Sequence, residues 1–169
     1  MPNERTLLFM RHAKSSWDDS SLKDFDRPLN KRGRKDAPKM GRYLLSLGLM
    51  PERIVSSPAL RAKQTVELLS DVAGINQDQI EWDRSLYDNG ADAYINAVHR
   101  TPSDVETVLV AGHNPTVEQV IERLSSGRAD RRVTTANIAC FKSTADQWSD
   151  VSEKNTIFKW LVGPKDIES

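Results

Sequence analysis

The chain has 169 residues, and its 24 Lys+Arg balance its 24 Asp+Glu. That length suits a single domain, residues 1–169, with a core large enough to need no staples. Formal neutrality argues against a general nucleic-acid or membrane-surface binder, whose footprint would be net basic. The lone cysteine, Cys140, excludes an intramolecular disulfide and a CxxC zinc pattern, and within Ile138-Ala139-Cys140-Phe141 it reads as a small core residue. No stretch approaches a membrane span. The amino terminus has only a four-residue apolar run, too short for a signal-peptide core, so a reducing cytoplasm is the expected compartment.

In chain order, residues 5–10 are expected to form a strand. Leu7-Leu8-Phe9-Met10 is an unbroken apolar run of the kind buried on both faces of a parallel sheet, and it leads straight into Arg11-His12. Residues 13–29 make a long polar loop, and loops of that length in compact domains are usually functional. Asn30 is placed to cap a helix with Met40, Tyr43, Leu44 and Leu47 inward and Gly48 as its stop; Pro38 predicts a kink or restart near Asp36. Arg53 to Ser56 reads as a second strand, followed by a helix from Arg61 that Gly74 ends. A short strand over Gln79–Trp82 and a helix over Asp92–His99, with His99 solvated, come next. Val105 to Ala111 is the clearest later strand. It ends at Gly112-His113-Asn114-Pro115, where Asn114 can cap a helix with Pro115 in its first position. Asn137–Phe141 and Ile157–Leu161 are late strands at the sheet edge. Strands alternating with helices imply an α/β domain: a three-layer sandwich with a mainly parallel central sheet and helices on both faces.

His12 and His113 each follow an apolar strand at the edge where open α/β sheets place their ligands. Arg61 opens a helix after a third strand, in Ser56-Ser57-Pro58-Ala59-Leu60-Arg61. A strand-end arginine or histidine standing alone would ordinarily be a solvated or salt-bridged group. Together these segments would bring Arg11, His12, Arg61 and His113 to one place. Guanidiniums match phosphoryl oxygens in a bidentate way, and a neutral imidazole is a nucleophile near pH 7. The helix starting at Asn114 adds backbone N–H groups that favour phosphate. Metal-free phosphoryl transfer is the chemistry this set suits, with no metal and no cofactor expected. No P-loop, dinucleotide fingerprint, nucleophile elbow or His-x-x-x-His pair is present.

Met10-Arg11-His12-Ala13-Lys14-Ser15-Ser16-Trp17, Arg27-Pro28-Leu29-Asn30-x-x-Gly33, Ser56-Ser57-Pro58-Ala59-Leu60-Arg61-Ala62-Lys63-Gln64-Thr65 and Val110-Ala111-Gly112-His113-Asn114-Pro115 resemble the histidine phosphatase superfamily and, within it, the SixA-type phosphohistidine phosphatase branch. The resemblance spans roughly residues 5 to 161 and implies a phosphoglycerate mutase-like fold. It implies that His12 takes the phosphoryl group while Arg11, Arg61 and His113 hold its oxygens. Larger members carry a glutamate that protonates the leaving group; here Tyr87 stands in that place. SixA-type members instead carry an aspartate three residues before Arg-Pro-Leu, which is Asp24, with Asp18, Asp19 and Asp26 as rivals on the same loop.

A phosphohistidine imidazole is a far better leaving group than an alkoxide, so a relocated acid costs less on such a substrate. No large lid insertion is apparent, and an open site admits a protein side chain. The expected substrate is therefore phosphohistidine on a phosphorelay-type protein. A small phosphate ester is the alternative, as is a low-turnover phosphate- or phosphoprotein-binding module. The run Lys31, Arg32, Arg34, Lys35, Lys39 and Arg42 is either a solvated helix face or a dock for an acidic or nucleic-acid partner. A monomer is expected, since no long apolar surface stripe is left over.

Overall fold

A computed structural model describes residues 4–129 and 131–167. Six strands form one sheet: β1 (Arg5–Arg11), β2 (Arg53–Ser56), β3 (Ile80–Trp82), β4 (Thr107–Gly112), β5 (Ile138–Ser143) and β6 (Thr156–Val162), in the spatial order β3-β2-β4-β1-β5-β6. β1, β2, β3 and β4 run parallel to one another; β5 and β6 are antiparallel additions at one side. The helices are α1 (Lys31–Ser46), α2 (Leu60–Ala73), α3 (Ser85–Asp88), α4 (Ala91–His99) and α5 (Thr116–Ser125). Among the described residues no helix is long and apolar enough to cross a membrane.

The three-layer arrangement follows from the apolar runs. Alternate strand residues point to opposite faces, so Leu7, Phe9, Val108 and Val110 pack under α4 and α5. Leu8, Met10, Leu109 and Ala111 pack under α1 and α2 through Met40, Leu44, Val66 and Leu69. Cys140 is buried in this second layer, as a small apolar side chain would be. Full burial of β1 and β4 on both faces explains why neither alternates with polar residues.

Four local expectations are corrected. α1 runs unbroken through Pro38 with no restart. The carbonyl that this proline leaves without a helical donor belongs to Arg34, an exposed residue that water can serve. Leu47 caps the end of α1 and is largely exposed instead of facing inward. His99 is half-buried and bonded to the Val151 carbonyl, not solvated. The Asn114–Pro115 peptide is cis, and α5 begins at Thr116, so Pro115 precedes the first helical position. Asn114 nevertheless caps the helix, its Oδ1 accepting from Glu118 N at 3.2 Å.

The loop leaving β1 is held by the start of α1. The Asn30 side chain accepts from Gly33 N at 2.8 Å, and Asn30 N donates to the Lys14 carbonyl at 2.9 Å. Gly33 is required here, because a Cβ would land on the Lys14 backbone carbonyl. Gly33→Ala is expected to cost about 1–3 kcal/mol, as overpacking does. A urea midpoint measured beside the kinetics checks this; activity should fall as well, since the displaced backbone follows His12 by two residues.

Candidate functional site

Strand register assembles the site. Arg11 lies opposite Gly112, so β1 and β4 finish level, and Ser56 lies opposite Ala111, so β2 finishes within one residue of them. The next residues, His12, Ser57 and His113, therefore share one edge. The His12 and His113 ring centroids are 5.3 Å apart. Arg61, on the first turn of α2, donates from Nε to His12 Nε2 at 3.3 Å. The structure thus brings Arg11, His12, Arg61, His113 and Asp24 together.

His12 is fixed in one tautomer. Its Nδ1 lies 2.7 Å from the Ala13 carbonyl, which can only accept, so Nδ1 carries the proton and Nε2 keeps its lone pair. The Ala13 amide donates to Thr65 Oγ1 at 3.0 Å, and that hydroxyl donates to the Arg61 carbonyl at 2.7 Å. One threonine ties the nucleophile loop to the helix bearing Arg61. His113 is braced from two sides: its backbone N–H donates to Tyr94 Oη at 3.0 Å, and Nε2 shares a 2.8 Å hydrogen bond with the Ser57 hydroxyl. Tyr94 in turn donates to the Leu86 carbonyl at 3.0 Å. A Cβ on Gly112 would strike this tyrosine, so only glycine lets β4 pass beneath it.

Burial pushes His12 down to about 3, reinforced by the nearby His113, Arg61 and Arg11. Burial also pushes His113 down to about 4, with Arg61 adding to the effect. Both imidazoles are therefore neutral at pH 7. Arg11 donates to the Val133 carbonyl at 3.0 Å, and its buried Nε has no partner. A buried guanidinium N–H without an acceptor marks a place for an oxyanion.

Asp24, on a short 3-10 turn (Asp24–Asp26), is the counter-ion of the site. Arg61 Nη2 reaches its Oδ2 at 3.0 Å, Arg27 Nη1 its Oδ1 at 3.1 Å, and Tyr87 donates to Oδ2 at 2.8 Å. Partial burial pushes the carboxyl up, but the Tyr87 and Arg61 hydrogen bonds, the Arg61 charge and Arg27 outweigh it, so Asp24 stays below the usual carboxylate range. Asp24 is exposed like its rivals Asp18, Asp19 and Asp26, but it alone of the four is bonded to Arg61. Asn114 points elsewhere: its Nδ2 donates to the Val133 carbonyl at 2.8 Å and to Glu118 at 3.3 Å. Those bonds fasten the loop that carries the Arg11 acceptor. Ser57, Thr65, Tyr94 and Arg27 have site contacts that sequence reasoning did not assign, although Ser57, Thr65 and Arg27 lie inside the quoted motifs. Among the described residues no group of three or more His, Cys, Asp or Glu is placed to hold a metal ion.

A family model described as histidine phosphatase superfamily (branch 1) matches residues 7–88. An uncharacterised chloroplastic protein of Arabidopsis thaliana is 36% identical over 86% of this chain and 70% of its own length. The chain belongs to the histidine phosphatase superfamily. Phosphohistidine phosphatase SixA of Escherichia coli strain K12 is 29% identical over 96% of both chains. The structure of a protein histidine phosphatase SixA complexed with tungstate superposes with TM-score 0.76 at 26% identity, covering 96% of this chain and 99% of that one. The α/β fold and the phosphatase class are thereby fixed.

The depressed histidines have a stability signature. Between the unfolded value near 6.5 and folded values of about 4 and 3, the unfolded chain binds protons that the folded chain refuses. These groups take nothing from stability above pH 7, and they lower it as pH falls from 6.5 towards 4. His12→Asn should lose less stability between pH 7 and pH 5 than the wild type, as read from urea midpoints at the two values.

Proposed function

We propose that this protein is a metal-independent phosphatase that works through a phosphohistidine on His12, and that its substrate is phosphohistidine on a protein. The observation that carries the reading is the His12 Nε2 lone pair, freed by the Nδ1–H bond to Ala13 and aimed at the Arg61 guanidinium. A relative solved in complex with tungstate, a tetrahedral oxyanion like phosphate, supports an oxyanion ligand for a protein of this fold.

In the first step Nε2 forms a bond to phosphorus as the bond to the leaving nitrogen breaks. The phosphorylated ring, still protonated at Nδ1, gains positive character that the Ala13 carbonyl stabilises. Arg11, Arg61 and neutral His113 hold the equatorial oxygens, and this charge stabilisation supplies most of the acceleration. Asn114 acts on phosphate indirectly, by bracing the loop behind Arg11. In the second step water attacks phosphorus, and His12 leaves as the neutral imidazole it was at the start. Asp24, an ionised carboxylate beside Arg61, is suited to take the proton of that water. A phosphoryl dianion arriving on Arg61 raises the Asp24 pKa, and the protonated form then serves as acid for a leaving group that needs one.

The test is a substrate panel in EDTA: a phosphohistidine peptide, a phosphoserine peptide and a sugar phosphate. Multiple turnovers with preference for phosphohistidine are expected. A single turnover, or none, would favour the binding-module reading; preference for the sugar phosphate would favour a small-ester phosphatase. His12→Ala should lower turnover by roughly 10³-fold or more and abolish acid-labile phosphate trapped on the protein. Asp24→Asn should slow alkyl phosphate hydrolysis by about 10²-fold while slowing phosphohistidine hydrolysis by less than ~10-fold, because the imidazole needs less protonation on leaving.

A further inference from the structure

We propose that a basic band running from beside the catalytic residue Arg11 along the outer side of α1 docks an acidic protein surface flanking the phosphorylated residue. The proposal rests on the phosphatase reading above and names the partner of the same site. α1 carries Lys31, Arg32, Arg34, Lys35, Lys39 and Arg42 against one acid, Asp36, in a chain that is neutral overall. Lys31, Lys35 and Lys39 follow one another at i, i+4, a spacing at which like charges destabilise a helix. A merely solvated face would intersperse acids at those positions.

Two concavities line the band. A groove of about 560 Å³ is walled by Arg32, Lys35, Lys39, Arg42 and Tyr43. A second, of about 240 Å³, is walled by Arg32, Arg131, Arg132 and Lys165. Arg32 belongs to both, so they form one surface. Its two carboxylates are already engaged, Asp36 with Arg32 at 3.3 Å and Asp166 with Arg131 at 2.7 Å. Lys35, Arg42 and Arg132 are exposed and make no hydrogen bond or ion pair among the described residues. The inner end of the band reaches the catalytic groups. Asn137, which lines the second groove beside Arg132, accepts from the Arg11 amide at 3.1 Å, and the Arg132 charge helps depress Arg11 after burial.

An acidic protein fits better than a nucleic acid or a membrane. The cations follow one helix and its adjoining loop, and the rest of the neutral chain carries the balancing acids. With 16 residues at about 1.5 Å each, α1 is about 24 Å long, which about eight extended residues span.

The experiment compares two phosphohistidine peptides with eight-residue flanks, glutamate-rich or serine-rich, on the wild type and on Lys35→Glu/Arg42→Glu. Neither residue touches the catalytic groups. The wild type should prefer the glutamate-rich peptide through KM. The double variant should lose that preference by about tenfold, the order expected for reversing two exposed cations, with kcat and p-nitrophenyl phosphate hydrolysis unchanged. Rising ionic strength should erase the wild-type preference. An unchanged KM for the glutamate-rich peptide in the variant would overturn the proposal. Binding of poly-L-glutamate, followed by amide chemical shifts on α1, is read even if no substrate turns over, so failure of the docking site and failure of the phosphatase reading are separable. Shifts at α1 with an oligonucleotide or anionic vesicles but not with poly-L-glutamate would also overturn it.

Discussion

The parallel pairing of β1 with β4 decides where both imidazoles of the site lie. Because Arg11 sits opposite Gly112, the residues one step further on, His12 and His113, emerge side by side at the same height. A slip of one residue would turn each strand's side chains to the other layer and separate the rings. The register is held by apolar side chains buried on both faces, so the precision of the polar cluster derives from the packing of Leu, Phe and Val beneath it.

The cluster is electrostatically one-sided. Two imidazoles are kept neutral by burial beside Arg11 and Arg61, and Asp24 is the carboxylate that answers Arg61. Neutral imidazoles preserve a lone pair at His12 and avoid adding further positive charge between the guanidiniums. The braces are hydroxyls: Thr65 ties the His12 loop to α2, while Tyr94 and Ser57 hold His113 from behind. Each brace fixes a direction without adding charge, as preorganised polar groups do.

Much of this was legible in the chain. Uninterrupted apolar runs ending in Arg11-His12 and Gly112-His113 identify buried parallel strands and the edge where their polar tails meet. Arg61 after Ser57-Pro58 adds a third approach to that edge. The braces were not legible, because Tyr94 meets His113 across 19 positions and Thr65 meets Ala13 across 52, and no local periodicity reports such contacts. The resemblance singled out Asp24 among four loop acids, but its contact with Arg61 came only with the geometry of the turn that carries it. The restart allowed for at Pro38 does not occur; the orphaned carbonyl belongs to an exposed residue, and sequence alone does not say which side of a helix is wet. His99 looked solvated for the matching reason: its acceptor, Val151, lies 52 residues away.

The salt bridge between Asp24 and Arg61 means that the site holds its own rival to an incoming anion. Any incoming oxyanion gains only the difference between its hold on that guanidinium and the carboxylate's.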